Sequence, residues 1–222
     1  MNFIHFIPHV NRPDLTVLAL NSVPALWKNT LLIDNSDNCS LAAYVAKHIN
    51  FHFAIIRPPV PLTTAQTYNW MRLIAINKNT DFITFMHNDC QLLTEGGDKL
   101  LLESATAAFF NNENKVGWVH QDEDHNHDLF CAYKTEMLQD VGEWDWLCCP
   151  FYHLDIDYMR RVRRNGWTIE RASGVLCKHH NDASSTIKSS KLRGLINPFY
   201  FRVSKHLMHI KWVDLNGDWS SL

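Results

Sequence analysis

The chain has 222 residues, with 21 Lys and Arg against 23 Asp and Glu, which gives a formal charge of −2. This length can bury a full core as one domain, and no Pro/Gly/Ser-rich linker divides the sequence. Because opposite charges nearly balance, no general positive field is present to attract nucleic acid, and no nucleic-acid partner is expected.

Short apolar runs typical of strands alternate with helical stretches in the first part of the chain. Strands are predicted at residues 3–7, 30–33 and 51–56, and helices are predicted to begin near Pro13 and Ser40 and to span about 64–77. Parallel strands require crossover connections, which helices provide. The pattern therefore predicts an α/β fold with a Rossmann-like, mainly parallel central sheet flanked by helices on both faces.

The aromatic and β-branched run at residues 82–86 predicts a buried strand. It stops abruptly at His87, Asn88, Asp89 and Cys90. Ligands of open α/β sheets bind just beyond the carboxyl ends of the strands. These side chains therefore mark a candidate metal and phosphate site centred on Asp89.

The chain after residue 93 is less regular. Further strands are predicted at 116–119 and 129–133, and further helices around residues 100–109, at 153–165 and at 199–212. In the helix at 153–165, Arg161 follows Asp157 by four residues, and we expect an ion pair between them. In the aromatic and basic segment at 199–212, we expect the Phe and Trp side chains to pack in the core, and the alternative is contact with a membrane or a partner.

Cysteine usage and the lack of long apolar runs bear on location. The six cysteines show no C-x-x-C spacing, and Cys148 and Cys149 are adjacent, which indicates neither a zinc knuckle nor a disulfide framework. No signal-peptide pattern occurs, and no run of about eighteen apolar residues could span a membrane. A cytoplasmic protein without a membrane span is expected.

The dinucleotide fingerprint G-x-G-x-x-G and the phosphate-binding loop G-x-x-x-x-G-K-[ST] are both absent, which excludes an ordinary NAD enzyme and a P-loop NTPase. Other motifs occur in a fixed order. They are Asn11-Arg12-Pro13 with Asn21-Ser22, the D-x-S-x-D-like set Asp34, Ser36 and Asp37, Ala65 with Asn69, His87-Asn88-Asp89, Gly142-Glu143-Trp144-Asp145, Leu154-Asp155-Ile156-Asp157 with Arg161 and Gly166, and His179 or His180 after a late strand.

From Phe3 to about residue 186 this series resembles the GT-A fold of nucleotide-sugar glycosyltransferases, in particular the family-2-like group. It is also similar to the small GT-A domains of glycosyltransferases from large algal viruses. The resemblance implies one domain over residues 1–222, with a nucleotide-binding half at 1–93 and an acceptor-side half at 94–222.

The activity implied is transfer of a sugar from a nucleotide-diphosphate donor, a UDP-sugar, to a hydroxyl of a glycan or other acceptor, with inversion. In such enzymes the first acid of the D-x-S-x-D set contacts the uracil, which implies that role for Asp34. The implied donor-binding residues are Pro8, His9, Asn11, Arg12, Asp34, Asn35, Ser36, Asn69, His87 and Asn88.

The metal motif departs from the family pattern, because His87 and Asn88 stand where acids are usual. Mn²⁺ or Mg²⁺ on the donor phosphates would stabilise the negative charge that grows on the leaving group. The expected protein ligands are Asp89 with His179 or His180, since Mn²⁺ accepts both carboxylate and imidazole. One carboxylate cannot hold the ion alone, so this prediction requires a histidine to fold beside Asp89. The alternative is that Asp89 merely ends the strand.

Asp155 is the expected catalytic base. An inverting transferase needs a carboxylate to take the proton of the acceptor hydroxyl as its oxygen attacks. Asp155 starts a predicted helix, where the helix dipole favours the ionised form. We assign Asp157 a structural role, and the alternative is that both are simply helix N-terminal acids.

Two other functions remain open at the level of the sequence. One is a GT-A domain that binds nucleotide sugar, or docks a partner, without catalysis. The other is a zinc hydrolase built on the His- and Asp-rich loop at 120–128, although its spacing matches no helical H-E-x-x-H and no closed structural site.

Overall fold

The computed structural model describes residues 1–37, 40–110, 114–122, 128–180 and 191–214. The first elements are β1 (Phe3–His9), α1 (Pro13–Ser22), a 3₁₀ helix (Pro24–Asn29), β2 (Thr30–Asp34), α2 (Leu41–His48), β3 (Ala54–Ile56), α3 (Thr64–Asn77), β4 (Phe82–Met86), β5 (Cys90–Leu92) and α4 (Gly97–Phe110). They are followed by β6 (Val116–His120), β7 (Phe130–Lys134), α5 (Thr135–Val141), α6 (Leu154–Arg164), β8 (Thr168–Arg171), β9 (Cys177–His179), α7 (Lys191–His209) and a π-helical turn (Ile210–Asp214).

Seven strands form a central sheet in the order β3-β2-β1-β4-β7-β6-β8. Within it, β7 runs antiparallel to both of its neighbours, and the other pairings are parallel. The predicted mainly parallel α/β sheet is therefore confirmed. Because β7 is reversed, its first residues lie at the edge where β1, β2 and β4 end, with Phe130 opposite Met86.

A second, two-stranded sheet is formed by β5 and β9, which pair antiparallel with Cys90 opposite His179. The two strands are far apart in the sequence. Their pairing brings the segment that follows β4 against residues 177–180, at the carboxyl edge of the main sheet.

Apolar side chains fill both faces of the central sheet. One cluster packs α1, α2 and α4 against one face, and the other packs α3, α5 and α6 against the opposite face. In the second cluster, the Trp144 ring stacks between those of Tyr68 and Tyr158, with centroids 5.1 Å and 3.9 Å away. Such sequestering of aromatic surface is the main source of stability for a sheet covered by helices.

Three sequence predictions need correction. The strand predicted at 51–56 includes only Ala54–Ile56, because the Phe51 and Phe53 rings pack on Trp27 instead. The last helix begins earlier than predicted, at Lys191. Phe199 and Phe201 were expected in the core, yet they are 64% and 46% exposed.

No helix in the described ranges combines the length and apolar character needed to cross a membrane. Five cysteines lie in these ranges, and all are buried free thiols.

Asp157 has the predicted structural role. Its buried carboxylate accepts hydrogen bonds from Arg161 Nε and Trp212 Nε1, both at 2.9 Å, and lies 2.8 Å from Lys211 Nζ. The Lys211 ammonium also contacts Asp145 at 2.7 Å. The predicted ion pair between Asp157 and Arg161 is confirmed, and the cluster fastens the C-terminal turn to α6.

We predict that Asp157→Asn lowers the free energy of unfolding by about 3 kcal/mol, because it removes the charge partner of Arg161 and one of the two carboxylates that contact buried Lys211. Asp155→Asn, in the same helical turn, serves as the matched control. We expect it to keep or raise stability, since burial and a neighbouring carboxylate already disfavour the charge there. Urea unfolding of both variants measures the difference, and equal losses would contradict the structural assignment of Asp157.

Candidate active site

The Asp89 carboxylate lies where β4, β5 and β9 meet. Its Oδ1 is 3.4 Å from His179 Nε2, and the His180 N–H donates to its main-chain carbonyl at 2.8 Å. These contacts follow from the β5–β9 register, which pairs Cys90 with His179. A histidine distant in sequence is thus fixed beside the one acid that the metal motif retains.

The two candidate histidines have different surroundings. His179 faces Asp89, whereas His180 Nε2 lies 3.2 Å from Gln91 Oε1. Side chains alternate between the two faces of a strand, so neighbouring residues point in opposite directions. Of the pair, His179 is the one placed to share a ligand with Asp89.

His87 lies between two carboxylates. Its Nδ1 is 4.0 Å from Asp89 Oδ1, and its Nε2 is 3.4 Å from Asp128 Oδ2. The Tyr68 hydroxyl donates to the same Asp128 oxygen at 3.0 Å. The His87 main-chain N–H donates to the Leu129 carbonyl at 3.0 Å, which holds the strand that follows Asp128 in place.

Asp128 is a site residue that the sequence argument missed. The sequence places Asp128 in the His- and Asp-rich loop at 120–128. Residues 123–127 of that loop, and with them the alternative zinc site, lie outside the described part of the chain. The available signal was its position directly before the predicted strand at 129–133. Only the antiparallel direction of β7, which the sequence does not reveal, places that position at the carboxyl edge of β4.

The charges in this cluster support one another. Burial alone would lower the pKa of His87, but the carboxylates of Asp128, Asp89 and Asp155 outweigh it and raise that pKa. Burial opposes ionisation of Asp89, but contacts with His179 and His87 lower its pKa. Burial likewise opposes ionisation of Asp128, but contacts with His87 and Tyr68 lower its pKa. The environment favours a cationic His87 between two anionic carboxylates.

Asp155 is half-buried in the first turn of α6. Burial, followed by the charge of Asp128, raises the pKa of Asp155 to about 6, although backbone N–H groups at the helix start and the charge of His87 act in the opposite direction. The sequence predicts only that the helix dipole favours the ionised form of Asp155. Desolvation and the second carboxylate outweigh it, which leaves Asp155 poised for proton transfer near neutral pH.

The predicted base-contacting residue, Asp34, is buried at the end of β2. Its Oδ2 accepts a hydrogen bond from Arg57 Nη1 at 3.1 Å, and its Oδ1 accepts from the Ser36 hydroxyl and from the Ser36 main-chain N–H at 3.2 Å. Arg57 Nη2 also donates to the Ser36 carbonyl at 2.9 Å. The turn after β2 is thereby fixed, and parallel pairing sets His9 opposite Asp34.

The other predicted donor residues contact protein groups. Asn11 and Asp37 exchange two hydrogen bonds of 2.9 Å, and Arg12 pairs with Asp14. The side-chain amide of Asn35 bonds the Leu62 main chain, and that of Asn69 bonds the Trp144 main chain. Asn69 also lines an apolar hollow beside Trp70 and Trp146. Pro8 lies in β1, opposite Ile33.

Three buried polar atoms at the ends of β1 and β4 make no hydrogen bond within the described chain. They are His9 Nε2, Asn88 Nδ2 and Asp89 Oδ1. Buried polar groups are normally paired, so an unpaired set at one sheet edge indicates where a polar ligand would complete the structure. Asn88 Nδ2 is a hydrogen-bond donor, Asp89 Oδ1 is an acceptor, and His9 Nε2 is an imidazole nitrogen.

Among the described residues, no group of three or more His, Cys, Asp and Glu side chains is arranged to hold a metal ion. The pair formed by Asp89 and His179 is the set that fits best, because Asp89 Oδ1, which accepts no hydrogen bond in the described chain, lies 3.4 Å from an imidazole nitrogen of His179. Carboxylate and imidazole suit Mn²⁺. A two-ligand site of this kind needs oxygen atoms from a bound molecule to complete it.

Similar solved structures decide the fold. A mannosyltransferase from Pyrobaculum calidifontis, PcManGT, determined with GDP-Man and Mn²⁺, superposes with a TM-score of 0.62 at 11% identity, over 95% of this chain and 74% of that one. Residues 1–349 of S. aureus TarS give 0.60 at 12% identity, over 98% of this chain and 74% of that fragment. Glucosyl-3-phosphoglycerate synthase from Mycobacterium tuberculosis, with Mn²⁺, UDP and phosphoglyceric acid, gives 0.58 at 10% identity, over 83% and 74%.

The chain has the GT-A fold. Both the predicted resemblance to GT-A glycosyltransferases and the predicted sheet architecture are confirmed at this level. No protein-family model matches the sequence, and a comparison with curated proteins finds no relative. The fold is therefore evident from the structure, whereas activity has to be argued from the site.

Proposed function

We propose that this GT-A chain transfers a sugar from a nucleoside diphosphate sugar, preferably a UDP-sugar, to a hydroxyl of a glycan or other acceptor, with inversion and a divalent metal. The observation that carries the proposal is the buried Asp89 Oδ1, which lies 3.4 Å from His179 Nε2 and accepts no hydrogen bond in the described chain, at the β5–β9 pairing beyond the carboxyl end of β4. Two similar structures contain Mn²⁺ with GDP-Man or UDP, which supports the same ligand class here.

Asp89 and His179 would hold Mn²⁺ or Mg²⁺. When bound, the ion would stabilise the negative charge that grows on the diphosphate leaving group. The contribution of the protein is an ionised carboxylate, since contacts with His179 and His87 lower the pKa of Asp89. His180, bonded to Gln91 and to the Asp89 carbonyl, would position the β9 end rather than contact the ion.

His87 and Asn88 replace acids with hydrogen-bond donors. Asp128 and Asp89 favour the cationic form of His87, and Asn88 Nδ2 is a buried donor without a partner in the described chain. Both groups would donate to phosphate oxygens, which are strong acceptors for charge-assisted hydrogen bonds. The motif would thus bind the diphosphate through one metal ligand and two donors, instead of through several carboxylates.

The turn after β2 would bind the base of the donor. Asp34 is held by Arg57 and Ser36, so its carboxylate oxygens keep fixed positions at the edge of the sheet. A carboxylate accepts hydrogen bonds from the imide N–H of uracil, and it also accepts from the N–H groups of guanine. We assign the base contact to Asp34 and take UDP as the first donor to test, with GDP as its competitor.

Asp155 would act as the catalytic base. Its raised pKa lets the carboxylate take a proton near neutral pH more readily than an ordinary aspartate could, while it remains largely ionised above pH 6. The carboxylate would accept the proton of the acceptor hydroxyl while that oxygen attacks the anomeric carbon. Asp128, which contacts His87 and Tyr68, would set this pKa and position His87.

Asp155→Asn is expected to lower kcat by about 10²- to 10⁴-fold, the usual contribution of a positioned base, while donor binding is retained. Asp89→Asn is expected to abolish metal-dependent turnover. Glu136→Gln, which removes an exposed carboxylate on α5, is the matched control and should behave as the wild type. The assay is release of nucleoside diphosphate from UDP-sugars with and without Mn²⁺, across a panel of acceptors.

Normal turnover in both Asp155→Asn and Asp89→Asn would rule out this mechanism. Tight donor binding by the wild-type chain with no turnover, with or without any acceptor, would favour the non-catalytic nucleotide-sugar-binding domain instead.

The pH dependence tests the same assignment. Because the base works only when ionised, kcat/KM is expected to fall about tenfold per pH unit below pH 6, the value to which the pKa of Asp155 is raised. Asp128→Asn removes a negative charge that raises this pKa, so the acid limb of the profile should move to lower pH. Tyr68→Phe keeps that charge and is the control. An acid limb that stays in place in Asp128→Asn would contradict the proposed coupling.

A further inference from the structure

The C-terminal helix α7 exposes an unusual surface. Between Pro198 and His209 the exposed residues are Pro198, Phe199, Phe201, Arg202, Lys205, His206 and His209. The buried positions in the same stretch are Ser204 and Met208, which face the protein. Because successive helical residues turn by about 100°, the exposed positions fall on one side of the helix. We refer to these seven exposed residues as the α7 outer face.

Large apolar groups lie at both edges of this face. The Phe199 side chain is 64% exposed and the Phe201 side chain 46% exposed. On the helix they flank Arg202 and Lys205. Single exposed apolar side chains are normal on protein surfaces. Two exposed phenylalanine rings on one helix face, with two cations between them, instead indicate a surface that another surface covers.

The charge of the face has one sign. No Asp or Glu occurs in the sequence from Lys191 to His209, whereas the whole chain carries a formal charge of −2. On α6, the exposed Arg160 guanidinium lies 5.6 Å from the ring centre of Trp212, in the π-helical turn that follows α7. The α7 outer face is therefore basic in a molecule that is slightly acidic overall.

The α7 outer face is held firmly in place. Tyr200 packs on Phe151 and Phe201 on Tyr152, each with ring centroids 5.2 Å apart in a T-shaped arrangement. Beyond the helix, buried Lys211 bonds both Asp145 and Asp157. The exposed rings are thus presented by a fixed scaffold, just before the start of α6.

We propose that the α7 outer face docks on an anionic lipid bilayer surface. Phenylalanine rings enter the interfacial region of a bilayer, and lysine or arginine between them pairs with lipid phosphates. Two rings on either side of two cations therefore fit an anionic membrane surface. The proposal concerns peripheral contact, because no described helix can span a membrane. It is independent of the transferase activity, since no residue of the face belongs to the candidate active site.

Co-sedimentation of the full chain with vesicles tests the proposal. The two probes are phosphatidylcholine vesicles and phosphatidylcholine vesicles with about 30 mol% phosphatidylglycerol, at near-physiological ionic strength. The wild-type chain is expected to pellet with the anionic vesicles and to stay in solution with the neutral ones. Phe199→Ser/Phe201→Ser and Arg202→Glu/Lys205→Glu should each weaken binding at least tenfold.

Matched controls change the same residue types elsewhere. Phe110→Ser removes an exposed ring at the end of α4, and Lys47→Glu/Lys99→Glu reverses two exposed charges on α2 and α4. Both should bind anionic vesicles as the wild type does. Because Phe201 also packs on Tyr152, thermal unfolding of each variant is measured, and Phe199→Ser alone replaces the double variant if that one does not fold.

Failure of the wild-type chain to pellet with anionic vesicles would overturn the proposal. Unchanged vesicle binding by Phe199→Ser/Phe201→Ser would also overturn it. Binding would then depend on charge alone, as it would for any soluble polyanion. A wild-type chain that self-associates through this face, so that dimer formation and not vesicle binding is lost in Phe199→Ser, would equally contradict it.

Discussion

The antiparallel pairing of β5 with β9 is the constraint on which the candidate active site depends. Asp89 is the only carboxylate of its motif, and a single carboxylate binds a divalent ion weakly. The pairing of Cys90 with His179 fixes the His179 Nε2 atom 3.4 Å from the Asp89 carboxylate, although Asp89 and His179 are 90 positions apart in the sequence. Without this pairing, the end of β4 would be a polar loop with one buried acid.

The reversed direction of β7 has a comparable effect. It delivers Asp128 to the carboxyl edge of a sheet whose other strands run the opposite way, and there the carboxylate meets His87 and Tyr68. One residue then acts on two others, since its charge raises the pKa of His87 and that of Asp155. In the proposed mechanism, Asp128 would thus raise the pKa of His87, which would donate to phosphate, and that of Asp155, which would act as the base.

The sequence predicted those parts of the structure that depend on local patterns. Apolar periodicity located α3 and β4, and the i,i+4 spacing in α6 identified the contact between Asp157 and Arg161. It could place His179 or His180 near Asp89 only through family resemblance, and it missed Asp128, because strand order and direction decide both. It also misplaced Phe199 and Phe201, since amphipathic spacing alone does not reveal which apolar side chains of a helix find partners.

Thermal unfolding with nucleotides is the most direct test of the claim that Asp89 and His179 form a metal-dependent nucleotide site. A ligand that binds only the folded chain raises the unfolding temperature by mass action. We expect UDP or a UDP-sugar to stabilise the chain only when Mn²⁺ is present, and we expect His179→Ala to abolish this effect and His180→Ala to retain it. Equal stabilisation without metal, or an unchanged response in His179→Ala, would contradict the account.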